Sequence, residues 1–172
     1  NDQPALSVLQ KTAADNDIAR PDETLIWEGD VPGYVQPMQR LCSDLLRALC
    51  TAEVATATFH NVLTPRGAKV RDALKWSRAI DYVLSEYGET SDVVFASHHW
   101  PTWGQENVAQ FLQSQRDIYR YVHDQTLRNA NAGATMIEAA EAVEEPKFQA
   151  ADFTTRGYYG TLNHNAKAVY QH

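Results

Sequence analysis

Long apolar runs are missing from this sequence. None approaches the about 20 residues that a membrane-spanning helix requires. Cysteine is scarce: Cys42 and Cys50 form no Cys-x-x-Cys pair, which argues against a thiolate zinc centre. Both read as small apolar core residues of one helix, about 12 Å apart at ~1.5 Å per residue and beyond disulfide reach. Positive charge is also short. Fifteen Lys and Arg stand against 22 Asp and Glu, a net charge of −7. That balance argues against a nucleic-acid surface, which needs a basic patch, but leaves room for one local basic pocket. Internal repeats and low-complexity linkers are absent. The first residue is Asn1 rather than Met, and no signal-peptide pattern follows it. The expectation is a processed product or a fragment, with the compartment left open.

What is present is ordinary for one globular domain with a core of its own: 172 residues, 44% hydrophobic and 22% charged. Thr24–Glu28 reads as a short strand. Met38, Leu41, Cys42, Leu45, Leu46 and Leu49 recur at helical spacing, so a helix is expected over 38–51. Thr51 to Leu63 reads as extended or irregular, and Pro65-Arg-Gly67 as a turn. Trp76, Ile80, Val83, Leu84 and Tyr87 mark a helix that stops at Gly88. Asp92–Ala96 reads as a short buried strand. Thr102 and Gln105 suggest a capping pair for a long helix over 105–131, ended by Gly133. Thr135-Met-Ile-Glu138 is a capping box for a short helix that stops before Pro146. Residues 157–163 form a Gly- and Tyr-rich loop, and a last helix is expected over 164–171. The pattern is helix-rich α/β with few strands.

The densest chemistry lies in Ala96-Ser-His-His-Trp-Pro-Thr-Trp-Gly104. Adjacent histidines at a strand end sit where α/β folds place their sites. If the strand runs through them, their side chains point to opposite faces. One then faces a site while the other packs, although a satisfied buried pair is equally consistent with the pattern. His123-Asp124 suggests a catalytic dyad. On a helix, however, consecutive side chains diverge by about 100°, so the pair is expected to be structural. A single Glu53 after a helix is ordinarily solvated. Arg66, from the residues alone, reads as an ion-pair partner of a nearby Asp.

Several blocks occur in one order: Ala96–Gly104, Gln115-Arg-Asp-Ile-Tyr119, His123-Asp-Gln-Thr-Leu-Arg128, Arg156-Gly-Tyr-Tyr-Gly160 and His164-Asn-Ala-Lys-Ala-Val-Tyr170. Together they resemble the alkyl sulfatases of the metallo-β-lactamase superfamily, zinc enzymes that hydrolyse alkyl sulfates such as dodecyl sulfate. The likeness runs from about Pro32 to the C-terminus. It implies a partial metallo-β-lactamase-like αββα domain over 1–104, with residues 1–31 poorly matched, followed over 105–172 by the family's helical dimerisation segment.

The resemblance also assigns residues. Glu53 and His98 align with metal ligands, while His60 and His99 fall where supporting residues would orient them. Asn61 and Arg66 match the segment that meets the sulfate group. His164 is the candidate general acid for the leaving alcohol, and Tyr170 a candidate sulfate donor. Two zinc ions are implied for the complete site, an alkyl sulfate as substrate, a homodimer as assembly, and a secreted or periplasmic location.

The chain departs from the family at defined points. The Thr-His-x-His-x-Asp-His motif is absent, and all six histidines lie elsewhere. Val54 and Ala57 follow Glu53 where the family has Asn and His. Val35 and Gln39 stand in the loop that usually brings another Glu. The expectation for the isolated chain is therefore weak or absent zinc. Its alternative reading is a non-catalytic relative that dimerises or binds an anionic amphiphile.

Overall fold

The computed structural model describes residues 47–147 and 152–172. Among these residues a three-stranded sheet, in the order β1-β2-β3, accompanies the helices. Strand β1 is Ala48–Ala52, β2 is Val93–Ala96 and β3 is Thr102–Trp103. The helices are α1 (Ala73–Tyr87), α2 (Gln105–Asn131), α3 (Met136–Glu141) and α4 (Leu162–Gln171), with a 3₁₀ turn at Phe153–Thr155.

Each helix begins where local chemistry permits it. The Asp72 carboxylate accepts from the Lys75 N–H at 3.0 Å and caps α1. The apolar spacing then buries Ala73, Ile80, Val83 and Tyr87. Thr135 and Glu138 form the expected reciprocal capping box of α3. Thr161 caps α4 by accepting from the His164 N–H, so this helix starts at Leu162, two residues earlier than expected. Helix α2 is the spine. Over its 27 residues it buries Val108, Phe111, Leu112, Ile118, Tyr119 and Val122 on one stripe, against which α1 and α4 pack.

Three expectations need correction. Residues 48–51 are not the end of a helix but lie in β1. Leu49 and Thr51 are buried and Ala48, Cys50 and Ala52 less so, a period of two that the preceding leucines obscured in the sequence. Cys50 is therefore a free, half-buried strand residue, and a helical spacing to Cys42 has no basis here. The rest of the predicted helix, Cys42 and the Thr24–Glu28 strand lie outside the described residues. Thr102 does not cap α2, because it pairs with Val94 in β3. Gly104, at φ 93°, takes the N-cap position with no side-chain cap. Finally, β2 is buried only at Val93 and Val94, and it stops at Ala96 before the histidines.

The junction of β1 and β2 positions the site. The two strands run parallel, Ala48 opposite Val93 and Ala52 opposite Ala96, with a bulge between Cys50 and Ala52. The Thr51 hydroxyl donates to the Ala55 carbonyl at 2.7 Å and lies 3.2 Å from the Phe95 carbonyl. The Ser97 N–H donates to the Ala52 carbonyl, so the strands leave the sheet together. Ala52 turns at φ 47°, and Glu53 follows it.

Candidate functional site

Because β1 and β2 are parallel and in register at their ends, Glu53 and His98 emerge at the same carboxyl edge. Their side chains meet: His98 Nε2 lies 3.1 Å from Glu53 Oε1. Both are about half exposed. The hydrogen bond from His98 is the main cause that lowers the Glu53 carboxyl below its usual range, with the charges of His98, His60 and Arg71 acting in the same sense. A carboxylate and an imidazole at this distance match the oxygen and nitrogen ligands of zinc. Among the described residues, no group of three or more His, Cys, Asp or Glu is placed to hold an ion.

Around this pair lies an aromatic and basic shell. His99 Nε2 is 3.4 Å from the Tyr158 hydroxyl, and its ring meets Trp100 edge-on at 5.8 Å. Partial burial, and then the His98 charge, lower the His99 imidazole below its ordinary value. Histidines 98 and 99 thus reach different partners without any strand alternation, because the chain bends through Ser97–His99.

His60 is buried and fixed on every side. Its N–H donates to the Tyr119 hydroxyl at 3.2 Å, and its carbonyl accepts from Asn165 Nδ2 at 2.9 Å. Its Nδ1 lies 3.0 Å from the Asn61 carbonyl. Its ring meets Tyr159 edge-on at 4.9 Å and Trp76 at 5.6 Å. Gly160 closes the pocket, since a Cβ there would lie 2.6 Å from the Phe59 carbonyl and 2.9 Å from that of His60. Burial lowers the His60 imidazole below its ordinary value.

The remaining candidates spread along the 60–66 segment and helix α4. Asn61 turns its carbonyl to the Arg71 guanidinium at 2.7 Å. Arg66 sits exposed in a tight turn, its N–H donating to the Thr64 carbonyl, and is followed by Gly67 at φ 79°. His164, in the first turn of α4, donates from Nε2 to the Leu63 carbonyl at 2.9 Å, within the same segment. Tyr170 lies elsewhere. It is six residues further along α4, about 9 Å at ~1.5 Å per residue, and its hydroxyl donates to the Ala134 carbonyl at 3.0 Å.

His123 and Asp124 do pair, contrary to the expectation of divergent side chains. His123 Nδ1 lies 2.8 Å from Asp124 Oδ1, and the other carboxylate oxygen accepts from Arg120 at 2.6 Å. Consecutive Cα atoms are only about 3.8 Å apart, so a short Asp side chain can swing toward its neighbour. The group is far along α2 and half-exposed, and it joins neither cluster described above.

Sequence reasoning missed Arg71 and Trp76. Arg71 donates to Asn61, stands 3.5 Å from His60 Nδ1 and lies over the Trp76 ring at 5.4 Å. Trp76 Nε1 donates to the Val54 carbonyl at 2.7 Å, beside Glu53, and its ring stacks on Tyr119 at 4.4 Å. The available signal was Arg71-Asp72 placed directly before an amphipathic helix whose first aromatic residue is Trp76.

Comparison with known proteins finds relatives of this chain. The family model for alkyl sulfatase dimerisation matches residues 135–172. The linear primary-alkylsulfatase of a Pseudomonas species is 52% identical over 124 residues, covering 72% of this chain and 18% of that protein. The alkyl/aryl-sulfatase BDS1 of Saccharomyces cerevisiae is 46% identical over 141 residues, covering 81% and 22%. The solved structure of the stereoselective inverting sec-alkylsulfatase Pisa1 from Pseudomonas matches with a TM-score of 0.71 and 42% identity, over 73% of this chain and 20% of that one. The chain thus spans about a fifth of the length of the relatives it matches.

Proposed function

We propose that this chain, which belongs to the alkyl sulfatases over its matched segment, supplies one edge of a zinc-dependent site that hydrolyses linear alkyl sulfates. The observation that carries this reading is the meeting of Glu53 and His98 at the carboxyl ends of two parallel strands, 3.1 Å apart. In parallel α/β sheets that edge is where ligands bind. Glu53 and His98 would hold metal here, and His60 and His99 would frame them. A catalytic zinc site takes about three protein ligands and keeps one position open, so this pair needs at least one more. Bound zinc supplies a water of lowered pKa and polarises the ester.

The anion would lie along the 60–66 segment. Arg66 offers a fork of donors to a tetrahedral oxyanion, and the Asn61 side chain adds a neutral donor. His164 stands beside that segment and would protonate the leaving alcohol oxygen once its Nε2–H leaves the Leu63 carbonyl. Tyr170 contributes to this reading only if its hydroxyl leaves Ala134. The dimer would form through the dimerisation segment, where Ile137 is 56% exposed on α3. Residues 1–104 would then belong to the metallo-β-lactamase-like part and 105–172 to the dimerising part.

A chimera tests this reading. Residues 47–172 replace the matching segment of the Pseudomonas linear primary-alkylsulfatase, and dodecyl sulfate hydrolysis, bound zinc and mass by light scattering are measured. The expected product is a zinc-loaded, active dimer whose activity falls at least a hundredfold in His98→Ala or Glu53→Gln. A folded dimer that binds no zinc, or that stays active in His98→Ala, refutes the assignment. The alternative, a non-catalytic amphiphile-binding module, is favoured by a folded chimera that binds dodecyl sulfate without turnover.

A further inference from the structure

Three features converge on His60. The Asn61 carbonyl lies 3.0 Å from its Nδ1, and a carbonyl can only accept, so that nitrogen carries the hydrogen. Arg71 stands 3.5 Å from the same nitrogen, and it too can only donate. The contact between them is therefore a juxtaposition of two donors that share Asn61 as acceptor. Among the described residues Arg71 makes no direct ion pair with a carboxylate; Glu53 feels its charge only at longer range. A second positive charge on His60 would face it directly.

We propose that Arg71 is a positioning residue that, with the Asn61 carbonyl, locks His60 as the neutral Nδ1–H tautomer, so that Nε2 keeps its lone pair as a fixed acceptor near the Glu53–His98 pair. The backbone supports the same end. Tyr119, Asn165 and Gly160 fix the His60 main chain, and Trp76 and Tyr159 fix its ring. Arg71 is also linked to the pair indirectly. Its guanidinium covers Trp76, whose indole N–H holds the carbonyl of Val54, directly after Glu53. One cation thus braces both His60 and the turn that presents Glu53. This assignment rests on and deepens the proposed sulfatase site: a neutral imidazole nitrogen there can accept a hydrogen bond from water or from the hydroxyl of the alcohol product.

The test is independent of metal and of turnover. Nitrogen chemical shifts of the six histidines are measured in the isolated chain, with His60→Gln used to assign the His60 signals. The expected pattern for His60 is a protonated Nδ1 and an unprotonated Nε2 at neutral pH. In Arg71→Gln the His60 titration midpoint rises toward the ordinary imidazole value, while Arg71→Lys, which keeps the charge, stays close to wild type. The groups acting on this titration are Arg71, Glu53 and His98, so a Glu53→Gln control is run in parallel. An Nε2–H tautomer in the wild type overturns the proposal, and so does a midpoint unmoved in Arg71→Gln. If Arg71→Gln does not fold, the wild-type tautomer and the Arg71→Lys midpoint decide. An inactive chimera with the Nδ1–H tautomer intact would refute the sulfatase reading and leave this one standing.

Discussion

Ala52 carries a backbone cost that its neighbours do not. Its φ of 47° is left-handed, a conformation that costs a non-glycine residue about 1–2 kcal/mol. The residue ends β1 on the bulge, and its turn swings Glu53 out to meet His98. Its side chain is exposed, so little packing depends on the methyl group. Ala52→Gly relieves the steric cost and gives back about 0.4–1 kcal/mol through the freer unfolded chain. The expected net effect is a gain of roughly 0.5 kcal/mol, read as a higher urea midpoint at unchanged slope. A lower midpoint would mean that the surrounding structure does not over-determine this turn. At this scale the sequence was legible for identity and silent on conformation. Glu53 and His98 were named as candidates, but nothing in Thr51-Ala52-Glu53 signals a left-handed residue, because alanine ordinarily avoids that region.

Helix α4 is tied to the site segment by one buried amide. Asn165 Oδ1 accepts from the Val62 N–H at 2.8 Å, and its Nδ2 donates to the His60 carbonyl at 2.9 Å. The residue is fully buried. Asn165→Ala leaves a buried N–H and a buried carbonyl unpaired, at about 1–3 kcal/mol each, so a loss of about 2–6 kcal/mol is expected. Asn165→Asp keeps the acceptor for Val62 but sets a buried carboxylate oxygen against the His60 carbonyl, so at neutral pH it should be at least as destabilised as Asn165→Ala. Chemical denaturation of the three proteins checks the order; an Asn165→Ala protein as stable as wild type would mean that water replaces both bonds. The helices themselves were readable from their 3.6-residue stripes and caps. Asn165 was not, since the sequence offers Asn163, His164 and Asn165 in succession. Only the Thr161 cap fixes which of them faces the 60–62 segment. The same limit explains β1: an apolar run of leucines fits helix and strand alike until its pairing partner is known. Parallel pairing with β2 depends on residues more than 40 positions away.

At the scale of the whole molecule, acid is the informative perturbant, because the buried and paired groups all respond to it in one direction. His60 is held below its ordinary value chiefly by burial, and His99 likewise. The unfolded chain therefore binds protons to these rings before the native protein does. Stability is unaffected by them above the ordinary imidazole range, and falls as pH drops from there toward their lower native values. Glu53 is held below its usual range by the His98 hydrogen bond. Its contribution is fully present above the ordinary carboxylate value and is lost at lower pH, as the acid titrates through its native value. Because Glu53 is half exposed, that second contribution is small and screened by salt. Two separated phases of destabilisation are expected in a series of urea midpoints, one beginning below about pH 6.5 and a weaker one beginning below about pH 4.5. His60→Gln, which cannot titrate, should start from a lower midpoint and show a flatter first phase, while the second phase remains. A first phase that keeps its full slope in His60→Gln would place the responsible proton on another group. His99→Gln then tests the one other histidine whose native value is lowered.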